Sequence, residues 1–211
     1  MLIVHHLNNS RSQRILWMLE ELGLDHEIRR YRRNSDMSAP KELMAIHPLG
    51  KSPILEDVGA DGHRTVVVET GAICDYLVER ANGRLGPGDA TDTILYRQFL
   101  HYAEGSVMPV LLAMLVASKI PILGPVAIKR VQPMLDTHLD FIEAQLASRQ
   151  WFAGDRFTAA DIMMSFPLEA ARARGRLGSA RSATTAWLDR IHARPAYIVA
   201  LEKGGPYAFA T

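Results

Sequence analysis

Two kinds of periodicity, separated by one polar stretch, limit what this chain can fold into. Up to about Tyr76, short apolar runs alternate with apolar residues at helical spacing, and beyond Asp92 only helical spacing remains. The intervening string "ANGRLGPGDATD" is rich in Gly, Asp and Pro, has no apolar period, and reads as a linker. The predicted organisation is a mixed first domain at 1–80, a linker at 81–93 and an all-helical domain at 94–211. Neither an internal repeat nor a low-complexity tract interrupts it.

Within the first half, Leu2 to Leu7 suits a buried strand. Ile15, Leu16, Leu19 and Leu22 then recur at helical spacing and stop at Gly23, a helix C-cap residue. His26 to Arg32 alternates as a second strand, and a helical crossover between two strands implies parallel pairing. A short helix over Lys41 to Ala45 follows. "HPLGKSPILED" and "RTVVVET" flank the turn-rich "VGADGH" as a hairpin, and a helix from about Gly71 to Arg80 closes the domain. The second half reads as helices over about Ile94 to Ala117, Val126 to Ser148, Ala159 to Arg172 and Ala183 to Ala193.

Composition narrows the partners. With Lys+Arg 24 against Asp+Glu 23, the net charge of +1 gives no basic field for nucleic acid or an anionic membrane. One cysteine, Cys74, allows no intrachain disulfide and fits a reducing compartment. The N-terminus lacks a signal-peptide pattern, and no uninterrupted apolar run reaches the ~18–20 residues of a span. A cytoplasmic protein that engages no nucleic acid and no membrane is expected, with a small molecule or another protein as partner.

"NNSRSQR", at residues 8–14, joins the first strand to the first helix. Ser10 and Gln13 have the spacing of a capping box, in which Ser10 would satisfy the Gln13 amide and Gln13 would reach back. The same placement would let Ser10 hold a reactive group, with Ser12 and Asn9 as neighbouring donors. His5 and His6 read as strand residues, since no second cluster is spaced to complete a metal site; no metal is expected. Arg14 reads as one half of a structural ion pair. Thr158 and Asp161 in "RFTAADIMMSFP" form a close relative of the capping box, with Phe157 and Ile162 at the staple positions, and carry structure rather than chemistry.

The element order, with "SRSQRILWMLEELG", "IHPLGKSPILE", "VETGAICDYL" and "FTAADIMMSFPL" in sequence, resembles the cytosolic glutathione S-transferase family over essentially the whole chain. The strings are most similar to its serine-type, bacterial and fungal branch. The resemblance implies a thioredoxin-like α/β domain (βαβαββα) followed by an all-α domain, glutathione as co-substrate, and a homodimer. It implies that Ser10, with Ser12 or Asn9 as alternates, donates to the glutathione sulfur. It implies a cis bond before Pro53, which lets the Ser52 backbone pair with the cysteinyl moiety, with Lys51 in reach of the glycyl carboxylate. Glu69 and Thr70 would read the ammonium and carboxylate of the γ-glutamyl end, Thr70 also capping the helix that follows. Thr70 departs from the family's usual Ser but keeps the hydroxyl.

The second substrate, a small hydrophobic electrophile, is expected between the domains against the helix beginning near Ile94, with Tyr102, Met108 and Leu112 as candidates. Met and aromatic residues at helical spacing are also what a core presents. Family members that exchange thiols carry cysteine where Ser10 stands, and Cys74 reads as core, which disfavours disulfide exchange. The implied activity is conjugation of glutathione to electrophiles, a detoxification chemistry, or reduction of organic hydroperoxides. A glutathione-dependent isomerase and a non-catalytic binding or regulatory protein remain alternatives, because fold alone does not choose. Across the two-fold axis, Asp75, Glu79, Arg80 and Arg97 are the rim charges expected.

Overall fold

The computed structural model describes residues 1–210; Thr211, the last residue of the expected helical domain, lies outside the described residues. The chain forms two compact units: Met1–Gly86 with Ile191–Ala210, and Pro87–Arg190.

The first unit is built on a four-stranded sheet of order β2-β1-β3-β4. Strand β1 (Leu2–Leu7) is buried along its length and central. It pairs in parallel with β2 (His26–Tyr31) through helix α1 (Ser12–Leu22), as the helical crossover requires. Strands β3 (Ile54–Val58) and β4 (Arg64–Val68) form the expected antiparallel hairpin, and β3 pairs antiparallel with β1. The Lys41–Ala45 segment is a 3₁₀ turn that buries Leu43. Gly23 ends α1 in the left-handed conformation, at φ 59°. Helix α2 (Thr70–Arg80) buries Ile73, Cys74 and Leu77. This is the element order that the sequence pattern predicts and the thioredoxin-like arrangement that the resemblance implies.

The linker is shorter than expected. Asp89 caps the next helix by accepting the Asp92 N–H, so helix α3 (Ala90–Tyr102) begins four residues before Ile94. Arg84 donates to the carbonyls of Glu21 and Leu22, which pins the turn after α2 to the end of α1. A π-helical turn (Ala103–Val107) joins α3 to α4 (Met108–Ala117). Helices α5 (Gly124–Ser148), α6 (Ala159–Ala173) and α7 (Ser182–His192) complete the second unit, with Ile191 and His192 already in the first.

By length and composition, the joined helix Ala90–Ala117 is long and apolar enough to cross a bilayer, although no uninterrupted apolar run announces it. Tyr96, Phe99 and Leu100 are buried within the unit, and Phe99 packs on Phe141 and Phe152, as in a core helix.

An eighth helix, α8 (Pro195–Gly204), ends the chain and packs on α1. The sequence reading ran the helical domain to the C-terminus, whereas by contacts residues 191–210 belong with the sheet. The reason lies in the apolar face of α1. Trp17 is buried there, edge-on to Tyr197 of α8 at 5.1 Å. Pro195 at the first helical turn was the available start signal.

Candidate functional site

The loop after β1 is set by hydrogen bonds other than the reciprocal cap the sequence suggested. Helix α1 has no side-chain cap. Ser10 Oγ accepts the Ser12 N–H at 3.2 Å, while the Gln13 N–H goes to the Ser10 carbonyl, also at 3.2 Å. Gln13 does not reach back. It is buried under α8, and its Nε2 donates to the Ala200 carbonyl at 2.9 Å, which satisfies a donor that burial would otherwise strand.

The three candidate donors now separate. Ser12 is fully buried and its Oγ accepts the Leu7 N–H at 3.1 Å, with His6 Nδ1 at 2.9 Å and the Leu7 carbonyl at 3.3 Å. His6 Nε2 lies 3.1 Å from the Gly204 carbonyl, which can only accept, so Nε2 carries the ring proton. Burial pushes the His6 pKa down to about 4, leaving Nδ1 of the neutral ring as a bare acceptor. The single Ser12 hydroxyl proton therefore points to His6. Ser10 Oγ, 2.8 Å from Ser12 Oγ, keeps a proton that can rotate, and Ser10 retains 5% exposure. Asn9 stands at φ 50°, its Oδ1 accepting the Ala208 N–H at 2.8 Å.

Arg33, which no sequence motif marks, holds this loop. Its N–H donates to Asn8 Oδ1 at 2.9 Å, its Nε to the Asn8 carbonyl at 3.2 Å and its Nη2 to the Asn9 carbonyl at 3.3 Å. Four arginines fall between positions 29 and 33, and only the hydrogen bonds of the folded chain show which one turns to the loop. A cavity of about 440 Å³ opens beside it, lined by Asn8, Asn9, Arg30, Arg32 and the turn at Gly204.

The Ser52–Pro53 bond is cis, as the resemblance implied. Ser52 Oγ donates to the His5 carbonyl at 2.8 Å, while the Ser52 backbone N–H and C=O have no backbone partner among the described residues. Lys51 is exposed beside it.

At the start of α2, Glu69 occupies the cap position without a side-chain cap bond, and Thr70 is the first helical residue. Thr70 is thus not the helix cap. It is buried, and its Oγ1 accepts from Arg14 Nη2 at 3.3 Å, a bond that joins α1 to α2. Glu69 is exposed and held at φ 68°, ψ 121°, a strained conformation for a residue with a Cβ.

Tyr102, Met108 and Leu112 do not share one surface. Tyr102 OH bonds His138 Nδ1 at 2.6 Å inside an aromatic cluster with Phe99 and Phe141, and burial pushes its pKa up to about 12. Met108 is buried and Leu112 is exposed. The π turn between Tyr102 and Met108 shifts the register that a regular helix would have kept. Cys74 is fully buried and desolvation pushes its thiol up to about 12, which makes it inert.

Residues 10–80 match the family profile "Glutathione S-transferase, N-terminal domain", and residues 125–204 match "Glutathione S-transferase, C-terminal domain". The chain is 35% identical to Glutathione S-transferase 3 of Schizosaccharomyces pombe, over 96% of this chain and 88% of that one. The chain belongs to the glutathione S-transferase family. Among solved structures, a glutathione S-transferase from Actinobacillus pleuropneumoniae has a TM-score of 0.85 and 31% identity, covering 99% of this chain and 94% of that one. A glutathione transferase from Pseudomonas putida, with one glutathione disulfide bound per subunit, has a TM-score of 0.83 at 23% identity, covering 97% and 92%.

Proposed function

We propose that this chain is a cytoplasmic glutathione transferase in which Ser10 stabilises the glutathione thiolate for attack on small hydrophobic electrophiles or organic hydroperoxides. The observation that carries the reading is the Ser10 hydroxyl, the one hydroxyl in the loop whose proton can leave an internal partner. Ser12 is committed to His6, while Asn9, its Oδ1 held by the Ala208 N–H, keeps its Nδ2 donors and stands as the alternate. Ser10 can swing its proton from Ser12 Oγ to a sulfur, and the Ser12 N–H on its oxygen strengthens it as a donor.

The magnitudes are sufficient. A free thiol titrates near ~8.5, and lowering it by about two units needs ~2.7 kcal/mol in favour of the anion. One hydrogen bond to a charged partner supplies ~1.5–3 kcal/mol and the N-terminus of α1 adds ~0.3–1. In conjugation, the sulfur forms a bond to the electrophilic carbon and the leaving group or π electrons take the pair. In peroxide reduction, the sulfur takes the terminal peroxide oxygen to become a sulfenic acid as the alcohol leaves, and a second glutathione thiol then displaces water from it to give the disulfide.

The rest of the reading follows the backbone. The Ser52 N–H and C=O, without a backbone partner among the described residues, suit an extended peptide added as a strand, with Pro53 behind it and Lys51 beside the glycyl end. Glu69 takes the γ-glutamyl ammonium, and the first N–H groups of α2, with Thr70, take its carboxylate. Of the second-substrate candidates Tyr102, Met108 and Leu112, Leu112 is the one whose exposed side chain a hydrophobic electrophile can touch directly, with Tyr102 and Met108 packed behind the helix surface. The test is the pH titration of thiolate absorbance in the glutathione complex. Ser10→Ala should raise the thiol pKa by about one to two units with little loss of affinity. An unchanged Ser10→Ala titration beside a large shift in Ser12→Ala or Asn9→Ala would move the role to that neighbour.

A further inference from the structure

The turn between α4 and α5 exposes a run of large apolar side chains. Ile122 is 90% exposed, Leu123 67% and Val126 66%, with Ile120 beside them. Exposure this high leaves solvent on nearly every side of each side chain. A flat protein surface would cover only one side, whereas the headgroup and acyl boundary of a bilayer closes around a protruding tip.

The backbone holds these side chains out. Ile122 stands at φ 63°, and the Leu123 N–H bonds the Pro121 carbonyl at 2.7 Å, which makes Ile122 the centre of the strained form of the three-residue γ-turn. A β-branched residue is an outlier there, and Gly or Asn would relieve it. Pro121 and Pro125 stiffen the turn on either side. Gly124 closes it, since a Cβ at that position would lie 2.3 Å from the Ala117 carbonyl.

Charge points to the same partner. From Gly105 to Leu135 there is no Asp or Glu, and Lys119, Lys129 and Arg130 are all exposed around the tip. We propose that the α4–α5 turn is a membrane-surface anchor: Ile120, Ile122, Leu123 and Val126 enter the interface of an anionic bilayer while Lys119, Lys129 and Arg130 meet its headgroups. The near-zero net charge of the whole chain hides this local collar, which is why no membrane partner was expected from composition. The association is peripheral, because the turn is far too short to span. Apolar electrophiles partition into bilayers, so an anchored enzyme meets them at raised concentration; that consequence rests on the proposed activity, and the anchor itself does not.

The experiment is co-sedimentation of the full chain with phosphatidylcholine vesicles, with and without phosphatidylserine as the minor lipid. The wild type should pellet with the phosphatidylserine vesicles and less with phosphatidylcholine alone, and salt should weaken it. Ile122→Gly removes the side chain and suits the positive φ, so it folds at least as well, and it should weaken binding about tenfold or more. Each of Lys119→Gln, Lys129→Gln and Arg130→Gln should cost roughly fivefold on the anionic vesicles. Wild-type protein left in the supernatant, or Ile122→Gly binding unchanged, overturns the anchor. So does a fall in sedimentation coefficient in Ile122→Gly without vesicle binding by the wild type, which would assign the tip to a contact between copies of the chain.

Discussion

His6 on β1 gives its Nε2 proton to the carbonyl of Gly204 at the end of α8, 3.1 Å away and 198 positions later in the chain. The approach depends on glycine, since a Cβ on Gly204 would lie 2.5 Å from Gln13 Oε1, and Gln13 is tethered to Ala200. Burial depresses the His6 pKa to about 4, against 6.5 for an unhindered ring. In that window the unfolded chain binds more protons than the folded one, so stability rises with pH from about 4 to 6.5. The His6 share is about 3 kcal/mol, present above the unfolded pKa and lost as pH falls. His5 is shifted in the same direction, while Asp161, pushed up to about 6 by burial, works in the opposite sense. The measurement is therefore a difference: denaturant unfolding of wild type and His6→Asn at several pH values. The gap between them should shrink as pH falls toward 4, and a constant gap would refute the assignment.

Much of the scaffold was legible because its signals are local. Gly23, the hairpin around "VGADGH" and the Thr158 box each declare themselves within a few residues, and the structure carries all three. The site was legible by position and less so by partner. Ser10 and Gln13 have capping-box spacing, yet their bonds go to Ser12 and to Ala200, residues whose proximity depends on α8 folding back on α1. Arg33 and the π turn after Tyr102 were missed for the same reason. What decides them is loop and helical hydrogen bonding across the fold, which no short motif encodes.

Glu69 allows stability and binding to be moved in opposite directions. Its φ of 68° suits glycine, so Glu69→Gly should stabilise the fold by about 1 kcal/mol. The same change removes the carboxylate proposed for the γ-glutamyl ammonium, at a cost of ~2–5 kcal/mol in affinity for a hydrogen-bonded charge pair. A higher melting temperature with much weaker glutathione binding in calorimetry is the expected pair of results. Binding within a factor of about two of wild type would remove Glu69 from the site.

Asp161 was expected to cap α6, and it does more. Its carboxylate accepts the N–H groups of Phe152 and Thr158 at 3.0 Å each, and the Thr158 hydroxyl and Trp187 Nε1 at 3.3 Å each, all in the interior. Four donors converge on two oxygens. Asp161→Asn would turn an NH₂ group against some of them and leave others unmet, which should cost ~2–4 kcal/mol. Thermal unfolding checks this, and a variant within about 0.5 kcal/mol of wild type would show that the donors find other partners.

We propose a homodimer, as the resemblance implies, with the first domain of one subunit packed on the helical domain of the other across a two-fold axis. Of the rim charges expected, Arg80 is already engaged, its Nε 2.8 Å from Asp57 Oδ2 within the same unit. Glu79 and Arg97 can set register, and rim pairs of this kind contribute little affinity. The affinity has to come from apolar burial. Ile94, on the exposed face of α3 one turn from Arg97, is 70% exposed and is the side chain a partner subunit should cover. Ile94→Lys should then weaken association by ~1.5–3 kcal/mol for each copy of the contact, and two-fold symmetry supplies two copies. Sedimentation at micromolar concentration should give about twice the chain mass of 23.5 kDa for the wild type and a shift toward monomer for the variant. A wild-type monomer that still conjugates glutathione would dismiss the dimer without touching the role of Ser10.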